Sequence, residues 1–551
     1  MGSCINFLLL LPCLIKVTLQ VSTASSDSYV AAVLEYSPAL DTATNLRNYL
    51  QYIEEAASKD ADIVVFPEMT LNRFRDPIEV ATNGTLKEHP IPALNEDLYH
   101  EVLVNISKAA RENSIYVVIN IEEVMYCNTT TPNEYCPEEK VYLFNTNVVF
   151  DRKGAVIDRY RKIHLFGEFS RTPALKPDLG VFTTDFGVKF AHYICFDLQF
   201  QVPAVQVVDK LNVTDVIFTT MWFSEMPYLS AVQIQEGYAF AMDVNFIAAG
   251  ANNVRFGSSG SGIFSGKAGA LVSVMPGLPT TKLLVATVPK APGQVTGPKP
   301  GPIYNNPEDH DSLTLITDPS LRAHYTRVLT PGLQQFTMSA GDIVCDFKVN
   351  MTENESEADV PRYQYRAAVF DGIRSYSGFV TGGTRLCSII SCTGDTPDTC
   401  GRRFPQYAPK STAIFHELNI IATVPTPRID AELESRDTVY FPLSLDTSIM
   451  PLEPDYYTYS EDKNEEVTVY NLFLEKYDRE LYSFAIWGRV FAGDGELEDP
   501  PLTEPTTLPS TETTEVSLDS TTTDIDADDD SSVSHLITKS LLIPVLLLLL
   551  K

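Results

Sequence analysis

Basic residues are scarce in this 551-residue chain, where 41 Lys and Arg face 72 Asp and Glu for a formal net charge of −31. That balance argues against nucleic acid and anionic lipid as partners, because both need a positive face. A large share of the excess lies in Asp494–Asp530, where acids stand among Thr, Ser and Pro. This stretch has too little apolar content to fold and reads as an extended, O-glycosylated stalk over 493–530. Long apolar runs are missing too: the run Leu541–Leu550 is far shorter than the roughly twenty residues that cross a bilayer. His and Cys show no metal-ligand spacing, so neither a metal nor another cofactor is expected.

Both ends carry processing signals. The apolar run Phe7–Ile15 followed by Ser22-Thr23-Ala24 reads as a signal peptide over residues 1–24. The opening Met1-Gly2 does not continue as a myristoylation signal, since position six is Asn6. At the other end, the polar spacer Val533–Ser540 separates the short apolar tail from the small and acidic run 528–532. The pattern fits a glycosylphosphatidylinositol (GPI) signal over 531–551, removed on attachment at Asp530 or Ser531. The expected location is the extracellular face of the plasma membrane, with the outer leaflet as partner. Six sequons, at Asn83, Asn105, Asn128, Asn212, Asn350 and Asn354, agree with a secretory route.

Of nine cysteines, Cys4 and Cys13 leave with the signal peptide and seven remain. In an oxidising compartment six can pair and one is left over. Cys127 and Cys136 flank a short loop and are expected to pair; Cys345, Cys387, Cys392 and Cys400 are expected to pair among themselves. Cys195 is the remainder.

Residues 25–290 alternate short β-branched or aromatic runs with amphipathic helical ones, the grammar of a layered α/β domain. Strands are expected at 29–36, 62–66, 115–121, 188–194, 216–221 and 245–249, with a hairpin over 141–160. Helices are expected at 44–59, with Leu46, Leu50, Ile53 and Ala57 on the inner face, and at 96–113, 204–211 and 229–242. Periodicity does not distinguish a three-layer sheet from a four-layer sandwich. A Pro/Gly linker follows at 291–308, then a smaller β-rich, disulfide-stapled domain at 309–492.

Three side chains stand where an expected strand gives way to a loop: Glu68 after Val65-Phe-Pro, Lys162 in Arg159-Tyr-Arg-Lys-Ile, and Cys195 after the apolar run from Val188. Strand ends are where α/β folds gather their chemistry. A cysteine attacks as thiolate and needs a base or cation to ionise near neutral pH. Glu68 suits the base that takes the thiol proton and returns it to a leaving amine. Lys162 suits the cation facing an oxyanion, with the Phe196 backbone N–H beside it. The mechanism needs no imidazole, so His164 and His192 are read as structural.

At these residues the chain resembles the nitrilase superfamily, and within it the vanin and biotinidase branch. The resemblance rests on Tyr193-Ile-Cys-Phe-Asp197, Asp197-Leu-Gln-Phe-Gln-Val-Pro-Ala204, Met221-Trp-Phe223, Leu229-Ser-Ala231 and Gly260-Ser-Gly-Ile-Phe264. Many nitrilases carry Arg where this chain has Gln199, a departure that vanins share. The resemblance implies a four-layer α-β-β-α sandwich followed by the β-rich domain, a Glu68–Lys162–Cys195 triad and a thioester intermediate. It further implies Glu168 as the glutamate that positions the lysine, and Trp222 and Phe223 in the substrate pocket. The implied activity is hydrolysis of a linear amide of a vitamin conjugate: pantetheine first, biotinyl amides as alternative. A catalytically silent adhesion protein of the same fold is the reading from another class.

The tail reading has a direct test. Phosphatidylinositol-specific phospholipase C should release the protein from intact cells into the medium; retention, with partition as a transmembrane protein, contradicts an anchor.

Overall fold

The strand Ser28–Glu35 buries Ala31 and Val33 on one face and Ala32 and Leu34 on the other, so both faces of its sheet need cover. The computed structural model describes residues 21–502 apart from 73–75, 82, 128–135, 300, 303–306 and 355–359. In its first sheet the strand order is Lys282–Pro289, Ser28–Glu35, Ile63–Val65, Tyr116–Tyr126, Val141–Phe150, Val156–Arg161. In the second the order is Gly301–Pro302, Ala270–Val274, Ser261–Ser265, Asn245–Gly250, Asp215–Thr220, Lys189–Ile194, Gly180–Thr183. Each sheet has a parallel centre of three strands with an antiparallel neighbour on either side, and at the edge of the second Gly301–Pro302 pairs parallel with Ala270–Val274.

The two sheets meet face to face through alternate residues. Ala31, Val33, Ile63, Val65 and Val118 of one pack with Phe190, Ile217, Ile247 and Ile263 of the other. On the outer face of the first sheet, Ala32, Leu34 and Val64 meet the helices Thr42–Ser58 and Glu101–Asn113. On that of the second, Tyr193, Phe218 and Phe246 meet the helix Ala231–Met242. The layers are therefore α-β-β-α, as the resemblance implies.

Three helices depart from expectation. Thr42–Ser58 starts earlier, because Asp41 caps it by accepting from the Thr44 N–H at 2.8 Å. Its inner line is Asn45, Tyr49, Ile53, Ala56 and Ala57, while Leu46 and Leu50 lie partly buried beside it. The polar pair can be buried because Tyr49 hydrogen-bonds Thr70 at 2.6 Å and Asn45 donates to the Leu71 carbonyl at 3.2 Å. The helix expected at 96–113 is a short turn, Glu96–Leu98, and then Glu101–Asn113, with the His100 ring capping the second by accepting from the Val102 N–H at 3.3 Å. The helix expected at 204–211 is Gln206–Asp209 run on from a π-helical turn over Gln201–Val205, within which Val202 is extended ahead of Pro203.

The second domain is a sandwich of two five-stranded antiparallel sheets. Cys345–Cys387 ties one sheet to the other, Cys392–Cys400 closes a loop, and Cys127–Cys136 closes another in the first domain. Cys195 is the free cysteine among the described residues, so the cysteine arithmetic holds. Strands Gly332–Ala340 and Tyr457–Lys463 escape a search for apolar runs because they are edges with exposed side chains. Thr438–Asp446 escapes it because Pro442, tolerated at a sheet edge, argues against a strand.

The domains share a core. Helix Ala231–Met242 presents Ile234 and Tyr238 within one continuous apolar cluster that also holds Phe441, Leu443 and Trp487 of the second domain. Gly237 permits the approach: a Cβ there would lie 2.5 Å from Leu443 Cδ2. Asn212 is exposed, whereas Asn105, Asn350 and Asn354 are half-buried. Asn83 opens the short helix Asn83–Glu88. Residues 1–20, Asn128 and residues 503–551, on which most of the expected signal peptide, the expected stalk and the expected attachment sites Asp530 and Ser531 fall, lie outside the described residues. No helix among the described residues is long and apolar enough to cross a membrane.

A shared core predicts shared unfolding. Leu443→Ala should cost about 2–5 kcal/mol, and Gly237→Val should destabilise by forced contact; each should lower one common calorimetric transition. Two separate transitions in the wild-type protein, only one of them moved by Leu443→Ala, would contradict the coupling.

Candidate active site

The parallel strands Ile63–Val65 and Lys189–Ile194 sit in facing sheets, and each delivers a side chain just past its carboxyl end. Glu68 follows the first and Cys195 the second, while Lys162 directly follows Val156–Arg161. All three are buried, at 3%, 5% and 2% exposure respectively. Lys162 Nζ donates to Glu68 Oε1 at 2.8 Å and to Glu168 Oε2 at 2.7 Å. Burial alone would strip the ammonium of its proton, but the charges of Glu168 and Glu68 outweigh it and hold the pKa well above the ordinary lysine value. Burial likewise opposes the charge of Glu168, and Lys162 overcomes it, so that carboxyl titrates below its usual range.

Asn145 completes the cluster, and the sequence reading missed it. From the buried strand Val141–Phe150 its side-chain amide donates to Glu68 Oε1 and to Glu168 Oε1, both at 2.7 Å. Its own carbonyl accepts from Asn120 at 2.7 Å; Asn120 also reaches Asn147 at 3.1 Å, and Thr219 donates to Asn147 at 2.8 Å. A polar seam thus crosses between the sheets. Its sequence signal is Asn145-Thr-Asn147, polar in the middle of an otherwise apolar strand. The second oxygen of Glu68 accepts from the Met221 N–H at 2.7 Å, and the Met221 carbonyl lies 3.7 Å from Cys195 Sγ.

Cys195 has φ +49°, a left-handed conformation that a non-glycine residue adopts at a cost. Asp197 holds the turn by accepting from the Ile194 N–H at 3.2 Å, the Tyr160 hydroxyl at 2.7 Å and the His164 N–H at 2.8 Å. Burial nonetheless raises the Asp197 carboxyl to about 7. Burial first, and then the charge of Glu68, push the Cys195 thiol up, with Lys162 opposing. Burial thus favours the thiol form of Cys195, which lies beside the Lys162–Glu68 pair. His164 stacks on Phe200 at 3.6 Å with Nε2 2.8 Å from the Val202 carbonyl, and burial lowers its pKa to about 4. His192 Nε2 lies 3.0 Å from Asp158. Both histidines have structural partners.

The thiol opens on a pocket walled by Phe166, Phe196, Trp222, Phe223 and Leu229. The Trp222 ring is fixed by its N–H donating to the Leu229 carbonyl at 2.9 Å. Phe196 packs between Phe166 and Tyr376, at ring distances of 4.9 and 5.3 Å. Tyr376 and Ser377 belong to the turn between Gln364–Tyr376 and Val380–Cys392 of the second domain and close the pocket's wall. Glu225 secures that turn: its carboxylate pairs with Arg374 and accepts from the Ser377 N–H at 3.1 Å and hydroxyl at 3.2 Å. Arg374 also pairs with Asp318 at 3.2 Å. No local spacing could have announced Glu225, Tyr376 or Ser377, because tertiary packing alone brings them there. Among the described residues no group of His, Cys, Asp and Glu is arranged to hold a metal ion.

The carbon-nitrogen hydrolase family profile matches residues 30–291, and that of the vanin C-terminal domain matches 313–494. Vanin-like protein 1 of Drosophila melanogaster is 34% identical over 501 residues, 86% of this chain and 87% of the relative. Human biotinidase is 28% identical over 494 residues, 82% of this chain and 84% of that one. Human pantetheinase is 29% identical over 420 residues, 69% of this chain and 77% of that one. With a matched hydrolase domain, a matched vanin domain and relatives aligned along most of its length, the chain belongs to the vanin and biotinidase family of carbon-nitrogen hydrolases, which act on amide bonds other than peptide bonds.

Proposed function

We propose that the protein hydrolyses a linear amide of a vitamin conjugate through a thioester on Cys195, with pantetheine, cleaved to pantothenate and cysteamine, as substrate. One observation carries the reading: a buried ammonium, Lys162, is held between Glu68 and Glu168 beside the one free thiol of the described residues. The relatives named for the two activities, human pantetheinase at 29% identity and human biotinidase at 28%, support a vitamin amide as the substrate class, within which pantetheine is our reading and a biotinyl amide the alternative.

The chemistry follows from the positions. The substrate carbonyl enters beside Phe166 and Trp222, and Glu68 takes the thiol proton as sulfur attacks the carbonyl carbon. A raised thiol pKa makes proton transfer part of the attack rather than a prior ionisation. The developing oxyanion is met by Lys162 and the Phe196 N–H, in a site from which water is largely excluded. Collapse breaks the C–N bond, and Glu68 returns its proton to the leaving amine. Water then replaces the amine, Glu68 takes one of its protons, and hydroxide attack on the thioester frees the acid and the thiol. Glu168 and Asn145 act by positioning Lys162 and Glu68. A domain of 25–290, a β-rich domain of 309–492, and a GPI anchor at Asp530 or Ser531 that places the enzyme outside the cell complete the reading; the composition of the tail supports the anchor.

Purified protein should release cysteamine from pantetheine faster than biotin from biocytin; the opposite order overturns the substrate assignment. Folded Cys195→Ser should lose turnover, and Lys162→Ala should lose about 3–4 kcal/mol of transition-state stabilisation, roughly a hundredfold to a thousandfold in kcat. Asn145→Ala should lower kcat by about tenfold to a hundredfold with a smaller change in KM, the signature of a lost hydrogen bond to a charged group. Near-normal pantetheine hydrolysis by Cys195→Ser would contradict the mechanism.

A further inference from the structure

The part of the thiol pocket's wall that comes from the second domain runs against the preferences of its own backbone. Ser377 and Gly378, the central residues of the turn Tyr376–Phe379, have φ of +49° and +77°, and the Phe379 N–H closes the turn on the Tyr376 carbonyl at 3.0 Å. Two consecutive positive φ values suit Gly, Asn or Asp at both positions. Gly378 meets that demand, but Ser377 holds a left-handed backbone at a cost.

The support beneath the turn is not explained by stability either. The buried Arg374 pairs with Glu225 and, at 3.2 Å, with Asp318, and both carboxyl groups are buried with it. Apolar side chains of similar volume often hold a fold as well as such a buried ion set, or better. The effect here is positional. Glu225 Oε1 accepts from the Ser377 N–H at 3.1 Å and hydroxyl at 3.2 Å, and the Ser375 hydroxyl accepts from the Gly378 N–H at 2.9 Å.

The rest of the wall is apolar or already partnered. The Trp222 N–H donates to the Leu229 carbonyl, and the Tyr376 hydroxyl to Gln199 at 3.5 Å. Beside Cys195, this leaves Glu225 and Ser377 as the polar side chains of the described wall. Glu225 meets a guanidinium on one oxygen and a backbone N–H on the other, so toward the Ser377 hydroxyl it is an acceptor. That hydroxyl therefore directs its proton to Glu225, and its oxygen keeps the capacity to accept.

We propose, on the pantetheine reading, that Ser377 is a specificity-determining residue supplied by the second domain. Its hydroxyl oxygen accepts a hydrogen bond from an N–H or O–H donor on the acyl arm of the substrate. The acyl arm is the side concerned because pantothenate carries an amide N–H and hydroxyls, whereas cysteamine brings a thiol, a weak donor. A pocket that is apolar apart from a few placed polar groups fixes orientation in this way.

The test compares pantetheine with N-propanoylcysteamine, which keeps the scissile bond and the leaving amine but has no donor on its acyl arm. Ser377→Gly removes the hydroxyl and suits the positive φ, so it should fold with a Tm at or above that of Ser377→Ala. Both variants should lose about fivefold more kcat/KM on pantetheine than on N-propanoylcysteamine, mainly through KM, as expected for one neutral hydrogen bond. If the wild-type protein does not cleave the short amide, inhibition of pantetheine hydrolysis by pantothenate must weaken about fivefold in Ser377→Gly. Equal losses on the two amides, or unchanged kcat/KM for pantetheine and unchanged inhibition by pantothenate in folded Ser377→Gly, overturn the inference and leave the function reading standing. A wild-type protein that cleaves neither amide removes the function reading, and this inference with it.

Discussion

A protonated amine sealed from water is the constraint around which this molecule is arranged. Lys162 is 2% exposed, and an ammonium so placed holds its proton only if opposite charge is brought into contact with it. Glu68 and Glu168 supply that charge, and each is itself tolerable only because donors satisfy it: Asn145 serves both, and the Met221 N–H serves Glu68. Removing one partner of such a cluster leaves an uncompensated buried charge, a far larger penalty than the cluster's net contribution to stability. The strand ends are therefore locked to one another by charge, and Cys195 inherits a fixed place beside them. Its left-handed backbone is held by Asp197 from within the same turn.

The second domain matters to the site through packing. Helix Ala231–Met242 is buried nearly all round, between the strands of one domain and the sandwich of the other. With the two domains sharing that core, the turn carrying Tyr376 and Ser377 forms a wall of the thiol pocket, pinned by Glu225 and Arg374. Phe379 from the same turn packs edge-on against Phe166 at 5.3 Å. The pocket is thus a product of both domains, although the three residues proposed for its chemistry come from one.

How much of this was legible depends on the kind of signal. Cys195 could be singled out by counting, because an odd thiol in an oxidising compartment stands apart whatever its surroundings, and the three disulfides bear the count out. Glu68 and Lys162 could be singled out because a charged residue where an expected strand gives way to a loop is visible in one dimension. Asn145 could not, as a neutral side chain inside a strand has many uses and only its two bonds to glutamates distinguish it. Glu225, Tyr376 and Ser377 were beyond reach, being assembled by tertiary packing. The inner face of Thr42–Ser58 was misread for a related reason: hydrophobic periodicity favours Leu46 and Leu50, whereas buried partners let Asn45 and Tyr49 take the inner line. The four layers needed the family resemblance, since alternation within a strand shows that both faces are covered but not by what.

The central claim is a covalent one, and it can be weighed directly. Acid quench of the purified protein during pantetheine turnover, followed by intact and peptide mass analysis, should find a pantothenoyl group on the peptide that carries Cys195. The adduct should appear within the first turnover and be absent from folded Cys195→Ser. Sustained cysteamine release with no adduct at any quench time, or an adduct that persists in Cys195→Ser, would contradict the account.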